Sequence, residues 1–179
     1  MRPIIIGIGG AYSGAGKTTI ACKILKRLKG WGAIKYTKTS LYCSIIDDRE
    51  TLTEEGKDTR RLLDSGAEKV LWVQASYDCL KETLQMAVES LAYLKGLVVE
   101  GNSAIEVLKP DFVVFVSGSE TERFKKNAEK ILEMADVVIF DKELPPGIPE
   151  GAKRFQKDDV EECIDFVTEL VNKCEDKDN

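Results

Sequence analysis

Residues Ala11–Thr18 read Ala-Tyr-Ser-Gly-Ala-Gly-Lys-Thr, and they follow the apolar run Pro3-Ile4-Ile5-Ile6-Gly7-Ile8. A buried strand, a glycine-rich turn, Gly16-Lys17-Thr18 and a helix-like segment together make a nucleotide phosphate-binding loop. The chemistry dictates the spacing. Backbone N–H groups from Ser13 through Gly14, Ala15 and Gly16 to Thr18 can curl round a polyphosphate, Lys17 adds a mobile positive charge, and the Thr18 hydroxyl can ligate Mg²⁺. The helix that opens here also turns the positive end of its dipole towards the anion. One position departs from the G-x-x-x-x-G-K-[ST] pattern: Ala11 stands where the first glycine is usual, just after Gly9 and Gly10.

A second chemical signal is Leu97-Val98-Val99-Glu100-Gly101-Asn102-Ser103. An apolar strand that ends in an acid and a glycine puts a carboxylate at the carboxyl edge of a sheet. In phosphate-loop proteins Mg²⁺ and the attacking group sit there. Glu100 is therefore the candidate to support the metal or polarise a nucleophile. A third signal is the segment from Glu55 to Ala67. Gly56 precedes a helix with Asp58 or Thr59 in its first turn, so Asp58 can approach the metal, while Lys57, Arg60 or Arg61 can meet phosphate. The late run Phe140-Asp141-Lys142-Glu143-Leu144 stands where guanine-reading proteins carry Asn-Lys-x-Asp. Lys142 can still stack over a purine, but the final base-reading carboxylate is absent. GTP is favoured and ATP stays open.

The chain has no histidine, which removes the commonest general base and the commonest zinc ligand. Of the five cysteines none forms a C-x-x-C pair, and Cys22 and Cys163 read as small buried thiols in helix-like segments.

These groups need a frame. Short apolar runs alternate with longer amphipathic ones, which predicts a three-layer α/β domain of P-loop NTPase type with a mainly parallel sheet flanked by helices. Strands are predicted at 3–9, 32–37, 69–75, 96–100, 111–116 and 136–140, with a weak edge strand near 152–155. Helices are predicted at 17–29, 57–65, 78–94, 120–134 and 158–174, the third one capped by Asp78. The polar stretch from Thr37 to Gly56 reads as a long functional loop holding a short strand within 41–46. The expected organisation is one domain over 1–174 and a flexible charged tail over 175–179.

Taken in order, several of these motifs resemble the molybdopterin-guanine dinucleotide biosynthesis protein B family. They are Ala11–Thr19, Ala33-Ile-Lys-Tyr36, Gly56-Lys-Asp-Thr-Arg60 with Ser65-Gly-Ala67, and Val99-Glu-Gly101, spread over roughly residues 3–140. The resemblance implies a P-loop protein that binds GTP with magnesium, hydrolyses it slowly, and assists the guanylyltransferase that attaches GMP to molybdopterin. It places Gly14, Gly16, Lys17, Thr18 and Thr19 at phosphate, Thr18 at magnesium, and Glu100 and Asp58 near the metal. It also implies a homodimer. The family's histidines after the second strand are replaced here by Tyr36, Thr37 and Lys38.

Two other classes compete. One is an ATP-dependent small-molecule ligase similar to dethiobiotin synthetase, in which Lys35, Lys38 and Thr39 would face a substrate. The other is a nucleotide-dependent protein adaptor or switch whose 37–56 loop orders around the terminal phosphate. With 32% charged residues and a net charge of −5, broad attraction to nucleic acid or anionic membrane is not expected. Apolar stretches are too short for a membrane span, and the cytoplasm is the expected compartment.

Overall fold

Ile5, Ile6 and Ile8 of the first strand and Leu97, Val98 and Val99 of the fifth are all buried, so both strands are covered on both faces. Runs of that kind belong in the centre of a parallel sheet. The computed structural model describes residues 2–119, 124 and 127–175. Its first half runs β1 (Ile4–Gly10), α1 (Lys17–Arg27), β2 (Trp31–Lys38), β3 (Ser44–Ile46), α2 (Arg49–Leu52), α3 (Asp58–Asp64), β4 (Val70–Ala75) and α4 (Tyr77–Ser90). The second half runs β5 (Gly96–Glu100), α5 (Asn102–Leu108), β6 (Phe112–Gly118), α6 (Ala128–Glu133), β7 (Val137–Phe140), β8 (Lys153–Gln156) and α7 (Val160–Glu175).

The strands form one sheet in the order β3-β4-β2-β5-β1-β6-β7-β8, parallel throughout except for the β3–β4 pair. Helices α1, α3 and α7 cover one face, packing Ile24, Leu25, Leu62 and Val167 on Ile6, Ile8 and Val98. On the other face α4 packs Leu80 and Leu84 on Leu97 and Val99, and α6 packs Ile131 on Phe115 and Val138. Each completely buried Ile or Leu of this kind contributes about 1.5–3 kcal/mol. The architecture is the expected three-layer α/β arrangement.

Local differences have local causes. The 37–56 segment is less irregular than its polarity suggests, because β2 runs on to Lys38 and β3 and α2 follow. Asp48 caps α2 by accepting from Thr51 N at 2.9 Å. The helix expected at 78–94 stops at Ser90, where short-range turns return the chain to β5 while Leu91 and Leu94 stay buried. Asp78 is not its cap; it lies in the first turn, behind Ser76. Helix α5 was not foreseen: seven residues carry too little periodicity, and burial of Ala104 and Ile105 under the sheet holds them. Of the helix expected at 120–134, residues 120–123, 125 and 126 lie outside the described residues, as do 176–179 of the expected tail. No helix among the described residues is long and apolar enough to cross a membrane.

Candidate functional site at the carboxyl edge

The phosphate loop leaves β1 through a latch. Gly10 N donates to Asn102 Oδ1 at 2.9 Å, and Asn102 Nδ2 donates back to Gly10 O at 2.9 Å, tying the loop to the start of α5. Ala11 N donates to Val116 O of β6 at 3.0 Å. Gly14 and Gly16 have φ of 91° and 103°, the left-handed region that favours glycine. A Cβ on Gly14 would meet nothing within 4 Å, so the loop faces open space there. Lys17 Nζ donates to Tyr12 O at 2.8 Å, which holds the ammonium over the loop.

Strand order supplies the rest. In register, Glu100 of β5 lies between Ile8 of β1 and Lys35 of β2. Helix α1 then sets Thr18 over Glu100: its hydroxyl is 3.0 and 2.9 Å from the two carboxylate oxygens. Lys35 Nζ donates to Glu100 Oε1 at 2.6 Å and to Asp58 Oδ2 of α3 at 2.8 Å. Asp58 also pairs with Arg61 at 3.3 Å, and Arg61 Nη2 reaches Thr19 Oγ1 at 3.0 Å. Burial by itself would lower the Lys35 ammonium, but the carboxylates of Glu100 and Asp58 outweigh it and hold it above its ordinary value. Burial pulls Asp58 upward, yet Lys35 together with Thr18 and Arg61 outweighs it, so its carboxyl sits below the ordinary range. Burial raises the Tyr36 hydroxyl.

All of this faces one cavity of about 860 Å³ that crosses the sheet edge from the phosphate loop to Tyr77 and Asn127. Ser13, Gly14, Gly16, Lys17, Thr18 and Thr19 line it, together with Asp58 and Glu100. Ala15 packs instead against the core. Lys142 does not line the cavity either; it is exposed on the turn after β7. Lys35 entered the sequence reading as part of the Ala33-Ile-Lys-Tyr36 motif and, with a role, only through the ligase alternative. Its signal was a lysine inside the apolar run Ala33–Tyr36, on the same strand face as Ala33. Asn102 and Asn127, hydrogen-bonded to each other at 3.4 Å, carried no sequence signal.

The donor set suits a magnesium ion bound mainly through phosphate. Thr18 gives its proton to Glu100, which leaves hydroxyl lone pairs for a cation, and Mg²⁺ commonly takes one or two protein ligands plus phosphate oxygens. Among the described residues no cluster of three or more His, Cys, Asp or Glu makes an all-protein metal cage.

No family model and no curated protein matches the sequence. Solved structures do match. Hydrogenase maturation factor HypB from Archaeoglobus fulgidus superposes with a TM-score of 0.61 at 17% identity, over 94% of this chain and 90% of that one. This is a P-loop NTPase-like fold. HypB from Helicobacter pylori, solved in complex with nickel, gives 0.59 at 12% identity over 96% and 88% of the two chains. A LAO/AO transport system kinase gives 0.51 at 16% identity, over 97% of this chain and 62% of that one. In this P-loop domain the loop, the strand-end acid and the first helix occupy one edge of the sheet, where ligands of open α/β sheets bind.

Proposed function

We propose that this chain binds a purine nucleoside triphosphate with Mg²⁺, GTP in preference to ATP, and hydrolyses it slowly as an accessory factor in molybdenum cofactor (molybdopterin guanine dinucleotide) biosynthesis. The observation that carries the nucleotide part is the hydrogen bond from Thr18 of the phosphate loop to buried Glu100. It joins two motifs far apart in sequence into one charge-stabilising site. The backbone from Ser13 to Thr18 would cradle the phosphates, and Lys17 would swing from Tyr12 O to their β- and γ-oxygens. Magnesium, held by Thr18 with support from Glu100 and Asp58, would neutralise charge on the phosphates. Slow turnover follows from the residues present. The chain has no histidine, and Glu100 already accepts from Thr18 and Lys35, so it orients groups better than it removes a proton. The accessory role and its guanylyltransferase partner rest on the motif resemblance, as does a homodimer. One structural neighbour is also named as a maturation factor.

Calorimetric titration of GTP and ATP, each with Mg²⁺, tests this reading. The expected result is tighter binding of GTP and complete loss of binding in Lys17→Ala with an unchanged circular dichroism spectrum. Undiminished binding in that variant would overturn the site.

A ligase reading is favoured by one observation: Lys35 and Lys38 both face the cavity beside the phosphate loop. Turnover of ATP with diaminopelargonate would establish that reading instead.

A further inference from the structure

Lys35 stands where a metal would have to go. Its Nζ is 2.6 Å from Glu100 Oε1 and 2.8 Å from Asp58 Oδ2, and Glu100 in turn accepts from Thr18. These are the oxygens that a divalent cation would use. The groups facing the position come from four elements: Thr18 from α1, Lys35 from β2, Asp58 and Arg61 from α3, and Glu100 from β5. The lysine side chain is only 17% exposed and Glu100 3%, so water does little to screen the pair.

We propose that Lys35 is a built-in counter-ion of the metal position: it holds Glu100 and Asp58 in place, excludes free divalent metal, and yields only to a metal that arrives on a triphosphate. The inference rests on the metal–nucleotide reading above. A bare cation must shed tightly held water and evict an ammonium that two carboxylates retain, and Mg²⁺ dehydrates reluctantly. A metal already bound to phosphate brings most of its ligands with it. The displaced ammonium then has phosphate oxygens within the same cavity as replacement partners. The order of assembly is thereby set, with metal and nucleotide entering together. An ion pair kept only for stability would affect melting and leave metal binding unchanged.

The test uses the full chain and Mn²⁺ as the probe, titrated without nucleotide and followed by electron paramagnetic resonance. Lys35→Met should bind Mn²⁺ at least about tenfold more tightly than the wild type, a factor worth roughly 1.4 kcal/mol. Lys35→Gln should show the same gain, and serves alone if the methionine variant does not fold. Lys35→Arg keeps the charge and should stay near wild type. Wild-type affinity in a folded neutral variant would overturn the proposal, as would an equal gain in Lys35→Arg. GTP titration of the wild type with Mg²⁺ runs beside it. Failure there removes the nucleotide reading, whereas failure of the Mn²⁺ comparison removes only the role of Lys35.

Discussion

At the scale of single residues, the site is governed by a contest between burial and charge. Asp58 keeps its carboxyl below the ordinary 3.8 although burial raises it, because Lys35, 2.8 Å away, acts with Thr18 and Arg61 to outweigh that cost. A group whose folded value is lowered contributes stability above its unfolded value and loses it as the pH falls through the folded one. Asp58→Asn should therefore lower the melting temperature at neutral pH, and the gap from wild type should close as the pH drops below 3.8. Thermal melts of both proteins across that range check this; a gap that persists in acid would refute the ion pair. Cys163 follows from burial alone, which pushes its thiol up to about 12. In the native protein at mildly alkaline pH, iodoacetamide should label Cys174 and spare Cys163 and the likewise buried Cys22. Peptide mass spectrometry before and after denaturation reads this directly.

At the scale of elements, the turn from β5 into α5 tolerates little change. Gly101 has φ of 137°, and a Cβ there would lie 3.1 Å from Tyr36 Cβ. Gly101→Ala should cost about 1–3 kcal/mol in strain. It should also weaken nucleotide binding, because the strained residue adjoins Glu100; denaturant melts and calorimetry measure the two effects. Cys43 and Cys79 are joined with their Cα atoms 6.6 Å apart, tying the β2–β3 connection to the first turn of α4. Reduction, or Cys43→Ser, should lower stability by about 2–4 kcal/mol. Calorimetric scans should show the wild type responding to dithiothreitol and the variant not. Neither helix α5 nor the disulfide was legible in the sequence, although the strand end at Glu100-Gly101 was. The Cys43–Cys79 pair is separated by 36 positions and lacks any short-range pattern, and α5 is too short to show a period. The β1–loop–α1 unit was legible because its strand, turn and helix signals are contiguous.

At the scale of the whole molecule, one sheet links the core clusters on its two faces. Both faces depend on the same central strands, so loss of either layer exposes the other. Unfolding should be one cooperative step, with fluorescence from Trp31 and Trp72 and far-ultraviolet circular dichroism giving coincident transitions. Separate transitions would show that the layers fold independently. The sheet's edges are guarded: β3 has three residues, and β8 exposes Lys153, Arg154 and Gln156. Such edges resist strand-to-strand association.

The phosphate loop, the alternation that makes a parallel α/β sheet, and a carboxylate at a strand end could all be read directly from the order of residues. Each of these is a short-range pattern of residue types, and short-range sterics and hydrogen bonding suffice to produce it. That Thr18, Lys35, Asp58 and Glu100 share one charge network emerges from the folded chain alone. Their meeting depends on β2, β5 and β1 lying side by side in that order, with α1 and α3 on the same face. Strand order is set by burial of the whole chain, so no local pattern encodes it.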